Sequence, residues 1–216
     1  MAAGGMGERR RPRVLLTGFS VFPGAPVNPT EALVGSLRAT PPAIDADLKT
    51  AILSVEYETI AAQLAALCAD FEPHIALHFG LARECNGFRL ERVARNTNAK
   101  ARPDNLGNLP ASAAICAGPE TIASSLPLDD IADRLKAANL PTEWSDDAGG
   151  YLCNTVFTLS AAHACDGLTP AMTGFVHVPP LDTDPSVSGA TLSLADLRHG
   201  ADIILVASLD AWRRIQ

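Results

Sequence analysis

The sequence predicts an α/β fold, one domain built on a mostly parallel, mixed sheet with helices covering both faces. Three observations carry this. Short apolar runs of strand length alternate with segments whose apolar residues recur at helical spacing. The length, 216 residues, is that of one domain. Apolar types make up 47% and charged types 19%, enough apolar material to cover a sheet on both sides and too little charge for a disordered chain.

The elements follow in order. Met1–Pro12 is rich in Gly and Arg and has no apolar core, so it reads as a solvated arm rather than an export signal, with the domain running from Arg13 to Gln216. Arg13–Gly18 is a short buried strand ending in a glycine turn. Asn28 caps the next helix, Pro29 suits its first position, and Glu31 stands three residues after the cap. Leu48–Val55 is a second strand. Glu58–Phe71 is a helix with Ile60, Leu64 and Leu67 on one face. His74–Gly80 is a third strand. Phe88–Asn96 reads as extended, and Asp129–Ala138 and Tyr151–Ala164 as helices. Met172–Val178 is a strand closed by Pro179 and Pro180, and Leu192–Ile215 is a long last helix. Two irregular stretches remain, Lys100–Glu120 and Pro179–Ala190. Loops of that length in a compact domain usually build a site or a subunit contact.

Charge and composition exclude several function classes. The net charge is −7, yet Met1–Arg13 carries +3 and Arg83–Arg102 carries +4, so the rest of the chain holds −14. An acidic bulk with only 5% aromatic residues excludes a general nucleic-acid binder. No apolar run is long enough for a membrane span. The five cysteines, Cys68, Cys85, Cys116, Cys153 and Cys165, are odd in number and form no CxxC. They fit free thiols in a reducing cytoplasm. No GxGxxG, P-loop or GxSxG pattern and no helical HxxxH pair occurs, and His74 and His78 on one strand stand about 13 Å apart, too far for one metal ion. No metal or cofactor is expected.

Three residues invite a chemical reading. Cys153 follows the turn-forming run Ser145–Gly150 and opens a helix, where the dipole and free N–H groups stabilise a thiolate and can hold an oxyanion. Its apolar neighbours also suit a core cysteine. Cys68 and Cys165 sit in helical apolar patterns and read as core. His177 ends a strand, where ligands of open α/β sheets bind, and is a candidate base or a buried packing residue. His163 and His199 read as surface or packing residues within helices. Glu91, among several arginines, is either a paired surface charge or the acid that orients an imidazole.

These residues lie in four blocks that resemble the type I pyroglutamyl peptidases, also called pyrrolidone-carboxylate peptidases. The blocks are Leu15–Phe22 with Asn28–Thr30, Gly80–Asn96 with Pro103–Asn108, Ser145–Asn154, and Gly174–Pro179. They occur in the family's order and span most of the chain. The resemblance implies an α/β/α sandwich and a cysteine peptidase without metal or cofactor. Cys153 would be its nucleophile, His177 its base and then acid, and Glu91 the orienting acid. Its substrate would be a peptide blocked by an amino-terminal pyroglutamyl residue, and its assembly a homo-oligomer, a tetramer or dimer. Phe19 and Phe22 match the aromatic pair that packs on the pyroglutamyl ring, and Asn28 and Arg102 fall among the substrate-binding positions. Some positions depart from the family's usual pattern. Val21 replaces a proline, Leu81 a glutamine, Arg83-Glu84-Cys85 a glycine-rich run and Arg89 a hydroxyl residue, and Arg102 is displaced by one position. Two other readings therefore stand beside the first. One is a divergent hydrolase of another small blocked or cyclic amide. The other is a catalytically silent binder of blocked amino termini.

Overall fold

The computed structural model describes residues 11–22 and 24–216. Residues 1–10 of the expected arm lie outside the described residues. Thirteen elements are formed: β1 (Arg13–Phe19), α1 (Pro29–Ala39), β2 (Asp47–Leu53), α2 (Tyr57–Cys68), β3 (Ile75–Leu81), β4 (Phe88–Glu91), β5 (Val93–Arg95), β6 (Thr121–Ala123), α3 (Leu128–Ala137), β7 (Thr142–Ser145), α4 (Leu152–Ala161), β8 (Met172–Val178) and α5 (Leu194–Arg214). The central sheet runs β2-β1-β3-β8-β4-β7. Its first four strands are mutually parallel, β4 is antiparallel to β8, and β7 lies parallel to β4 at the edge. The sheet is mixed and mostly parallel, as the alternation of strands and helices implies.

Side-chain alternation sorts the core into two layers. Leu16, Leu77 and Val176 point to the face covered by α1, α3 and α5. Leu15, Ala76 and Phe175 point to the opposite face, under α2 and α4. Strands β3 and β8 are buried on both faces, which is why they read as continuous apolar runs. Helix α1 starts as its sequence implies, whereas α5 starts at Leu194, two residues after the expected Leu192, behind a serine cap. Asn28 Oδ1 accepts from Thr30 N at 3.0 Å with Pro29 in the first position, and Ser193 Oγ accepts from Asp196 N at 3.0 Å at the head of α5.

Some local expectations change. Phe88–Asn96 is one extended stretch in sequence but two strands in space. β4 joins the central sheet, and β5 turns away to pair with β6. The break falls at Arg92, whose N–H donates to Ser145 O (2.8 Å) while its Nε binds Asp146 Oδ1 (2.7 Å). Strands β6 and β7 are short, polar and half-exposed, and they lack the apolar run that marks the others. Helix α4 stops at Ala161, so His163 and Cys165 lie beyond it. His163 takes a positive φ of 53° and its Nε2 lies 3.2 Å from Pro170 O, while Cys165 is buried against α2 and α4 as a loop residue. Among the described residues no helix is long and apolar enough to cross a membrane.

Candidate active site

The site forms beyond the carboxyl ends of β3 and β8, the place where open α/β sheets bind ligands. Its imidazole is held by sheet register. Arg89 of β4 is the partner of His177 on β8, and Glu91 is the partner of Phe175. Glu91 and His177 are therefore diagonal neighbours on one face, within reach across adjacent strands. Glu91 Oε1 and His177 Nδ1 meet at 2.7 Å, between residues 86 apart in sequence. Both are buried, Glu91 completely.

The helix amino terminus supplies the thiol. Cys153 is the second residue of α4, and no side chain caps that helix. Thr155 N is the first amide of this turn to find a backbone acceptor, at Tyr151 O, so the amides before it remain available to a ligand. The approach of thiol to sheet depends on Gly80. A Cβ at that position would stand 2.8 Å from Cys153 Sγ and 2.7 Å from the Phe175 ring. With Nδ1 engaged by Glu91, the other nitrogen of His177 is left for Cys153, whose sulfur is among the groups that act on the ring. Burial pulls the imidazole down in pKa, but the charge and hydrogen bond of Cys153, with those of Glu91, outweigh it and raise it to about 9. His177 thus favours its charged form beside the sulfur.

The remaining thiols differ. Burial pushes Cys85 up to about 12 and Cys165 to about 11, and it also raises Cys68 and Cys116. All five cysteines are free. Among the described residues no group of three or more His, Cys, Asp or Glu is arranged to hold a metal ion.

A cavity of about 510 Å³, within the usual range of ligand sites, opens over Cys153 and His177. A larger hollow of about 760 Å³, between α3 and β7, has Asp129, Asp133 and Lys136 on its walls and no thiol or imidazole. Only the smaller of these two holds a thiol and an imidazole. Phe19 forms part of its floor, 3% exposed and 6.5 Å from Phe175 by ring centroids. Phe22 is half-buried in its wall, 5.9 Å from the Tyr151 ring. Asn28 reaches the cavity, but its side chain is committed to the fold. Oδ1 caps α1 and Nδ2 donates to Ser20 O (2.9 Å), fixing the loop that carries Phe22. Arg102 lines the opening with its guanidinium over Tyr151, 5.0 Å from the ring centroid.

Of the expected site residues, Phe19, Phe22, Asn28, Arg102, Cys153 and His177 line this cavity, and Glu91 lies behind His177. Sequence reasoning passed over others. Tyr151 forms a wall between Phe22 and Tyr57, and its hydroxyl donates to Pro103 O (3.2 Å). Asn154 clamps β5 to α4, accepting from Arg95 N (2.9 Å) and donating to Arg95 O (2.7 Å). Both adjoin Cys153 in the run Gly-Gly-Tyr-Leu-Cys-Asn, and that adjacency was the available signal. Asp147, also on the rim, ties the turn before Cys153 to Lys100 (3.1 Å).

The profile of the pyroglutamyl peptidase family matches residues 12–192. The pyrrolidone-carboxylate peptidase of Pseudomonas fluorescens (strain SBW25) is 35% identical over 201 residues, covering 93% of this chain and 92% of its own. That of Pyrococcus furiosus is 35% identical over 168 residues, 77% of this chain and 80% of its own. A crystal structure of a mutant pyrrolidone carboxyl peptidase from P. furiosus superposes with a TM-score of 0.83 at 30% identity, covering 92% of this chain and 98% of that one. By sequence over most of its length and by fold, the chain belongs to the pyroglutamyl peptidase family.

Proposed function

We propose that this protein is a cysteine exopeptidase that removes an amino-terminal pyroglutamyl residue from peptides, with Cys153 as nucleophile, His177 as proton carrier and Glu91 as orienting acid. The observation that carries the proposal is the connected chain Glu91–His177–Cys153 under an aromatic-walled cavity at an uncapped helix terminus.

The chemistry follows from these groups. The Cys153 thiolate attacks the carbonyl carbon that joins pyroglutamate to the next residue. The oxyanion is received by free backbone amides at the head of α4. The C–N bond breaks, and the His177 imidazolium gives its proton to the departing amine. A thioester remains on Cys153. Water attacks it, His177 takes a proton from that water, and pyroglutamate leaves as the thiolate re-forms. Glu91 accepts from Nδ1–H throughout, which holds the ring with its other nitrogen toward the sulfur. Phe19, Phe22 and Tyr151 enclose the flat, uncharged lactam. A free ammonium would lose its hydration there without a partner, so unblocked peptides are rejected.

Release of a fluorophore from a pyroglutamyl amide tests the proposal. Wild type should turn over under reducing conditions, and Cys153→Ala should not. A silent wild type whose Cys153 is still rapidly alkylated would favour a divergent hydrolase of another blocked or cyclic amide. A silent wild type with a sluggish thiol would favour a binder of blocked amino termini. Homo-oligomeric assembly, as a tetramer or dimer in a reducing cytoplasm, belongs to the same proposal. Leu106 and Leu109 are exposed on the loop that Asn105 ties to exposed Val21, which supports self-association. Light scattering of the purified protein decides the assembly.

A further inference from the structure

We infer that the cavity prefers an acidic residue directly after the pyroglutamyl ring, read by the guanidinium of Arg83. This rests on the proposed pyroglutamyl activity and names its substrate class. Besides the Cys153–His177 pair, five charged residues line the cavity among the described residues: Arg83, Glu84, Arg89, Arg102 and Asp147. Two are spent on other partners. Arg89 Nε binds Glu143 at 2.5 Å, and Asp147 binds Lys100 at 3.1 Å. Arg83 and Arg102 form no ion pair among the described residues, and Glu84 forms none either. Among the described residues, two cations and one anion of this lining therefore have no ion-pair partner.

Position separates the two cations. Arg102 lies flat on Tyr151, beside the aromatic wall. Arg83 is carried by the end of the strand that pairs with the strand of His177. Gly80 is the register partner of His177, and Leu81 of Val178. Ala82 N donates to Val178 O at 2.9 Å, which carries the pairing one residue further. Arg83 follows immediately, beyond the strand end that bears His177. Its Nη2 donates to Gly24 O at 2.6 Å, so the side chain bridges from that strand end to the loop holding Phe22. This one bond uses one of five N–H donors.

Catalysis then dictates what Arg83 meets. The departing amine must lie within reach of His177 to receive its proton. The residue that carries this amine is on the His177 side of the cavity, under the Arg83 bridge. A Glu or Asp side chain there finds donors in a fork geometry suited to carboxylate. Asp184 also feels Arg83, but its carboxyl is held low chiefly by the Ser186 hydroxyl and N–H. A lysine at the same position would face the net positive charge instead.

The test uses carboxy-terminally amidated peptides, pyroglutamyl-Glu, pyroglutamyl-Gln and pyroglutamyl-Lys, so that no terminal carboxylate competes. The quantity read is the ratio of kcat/KM between Glu and Gln peptides within each protein. Wild type at low salt should favour Glu over Gln by about fivefold, the size of one exposed ion pair, with Lys below Gln. The ratio should shrink toward one at high salt. Arg83→Gln should bring it to about one, and Arg83→Lys should restore part of it. Because the ratio is internal, a general loss of activity in a variant does not imitate the effect. The salt series examines the same charge without any substitution. Equal use of Glu and Gln by wild type, or an unchanged ratio in Arg83→Gln, overturns the inference and leaves the pyroglutamyl activity standing. No turnover of any of the three peptides would instead overturn that activity and the inference with it.

Discussion

Gly80→Ala is a sharp probe of how closely the thiol is fitted to the sheet. Gly80 needs no unusual backbone angle, so the effect of a methyl group is purely steric. The added Cβ would stand 2.8 Å from Cys153 Sγ and 2.7 Å from the tip of the Phe175 ring, where ordinary contact begins at 3.4 Å. Something must move by about 0.6 Å. The ring has nowhere to go. Phe19, Phe157, His78 and His177 surround it at centroid distances of 6.5, 6.2, 6.4 and 4.8 Å. Cys153, on the first turn of α4, is the side that yields. A misplacement approaching 1 Å costs up to about a hundredfold, so kcat/KM for a pyroglutamyl amide should fall roughly ten- to hundredfold. Overpacking should destabilise by about 1–3 kcal/mol, visible as a lower Tm. Gly174→Ala is the control. Its Cβ would collide with Leu126 and Ser124 across the other face of the sheet. It should lower Tm similarly but leave the alkylation rate of Cys153 by iodoacetamide near that of wild type. A Gly80→Ala protein with activity and alkylation rate within twofold of wild type would refute the fitted geometry.

Other outcomes follow from the same contacts. Glu91→Gln keeps the shape but removes the charge at Nδ1, and kcat should fall by about two to four orders of magnitude with little change in KM; a drop under tenfold would count against an orienting role. His177 is raised from 6.5 to about 9 in the folded protein, so its charged form contributes stability that is complete below pH 6.5 and is lost as pH rises through about 9. Thermal midpoints of wild type should decline across that window more steeply than those of His177→Gln, and parallel curves would contradict the assignment. Asn154→Ala removes both bonds to Arg95 and should cost about 2 kcal/mol in chemical denaturation. An unchanged denaturation midpoint would show that the clamp is unimportant.

Much was legible before any coordinates. Strands β1, β3 and β8 are apolar runs because both of their faces are covered, and a run of that kind has few other readings. Helix α1 announces its start through Asn28-Pro29, since orphan amides select a few side chains. β6 and β7 stayed hidden because they are short and half-exposed, with pairing supplied by neighbours distant in the chain. The same held for the split at Arg92, which is set by Ser145 and Asp146, more than fifty residues away.

The site divides along the same line. Residue type and local order alone mark Cys153 as a thiol at a helix start and His177 as a strand-end imidazole. These are properties of a few consecutive residues. What they do together was decided by the tertiary structure. The antiparallel pairing of β4 with β8 turns Glu91 from one acid among arginines into the buried partner of His177. The same folding spends Arg89 on Glu143 and gives Arg83, at the cavity, a backbone carbonyl instead of a carboxylate. Charge count in the sequence is the same for both arginines. Which one meets a carboxylate of its own depends on strand register, and register is a long-range property that no local stretch of chain contains.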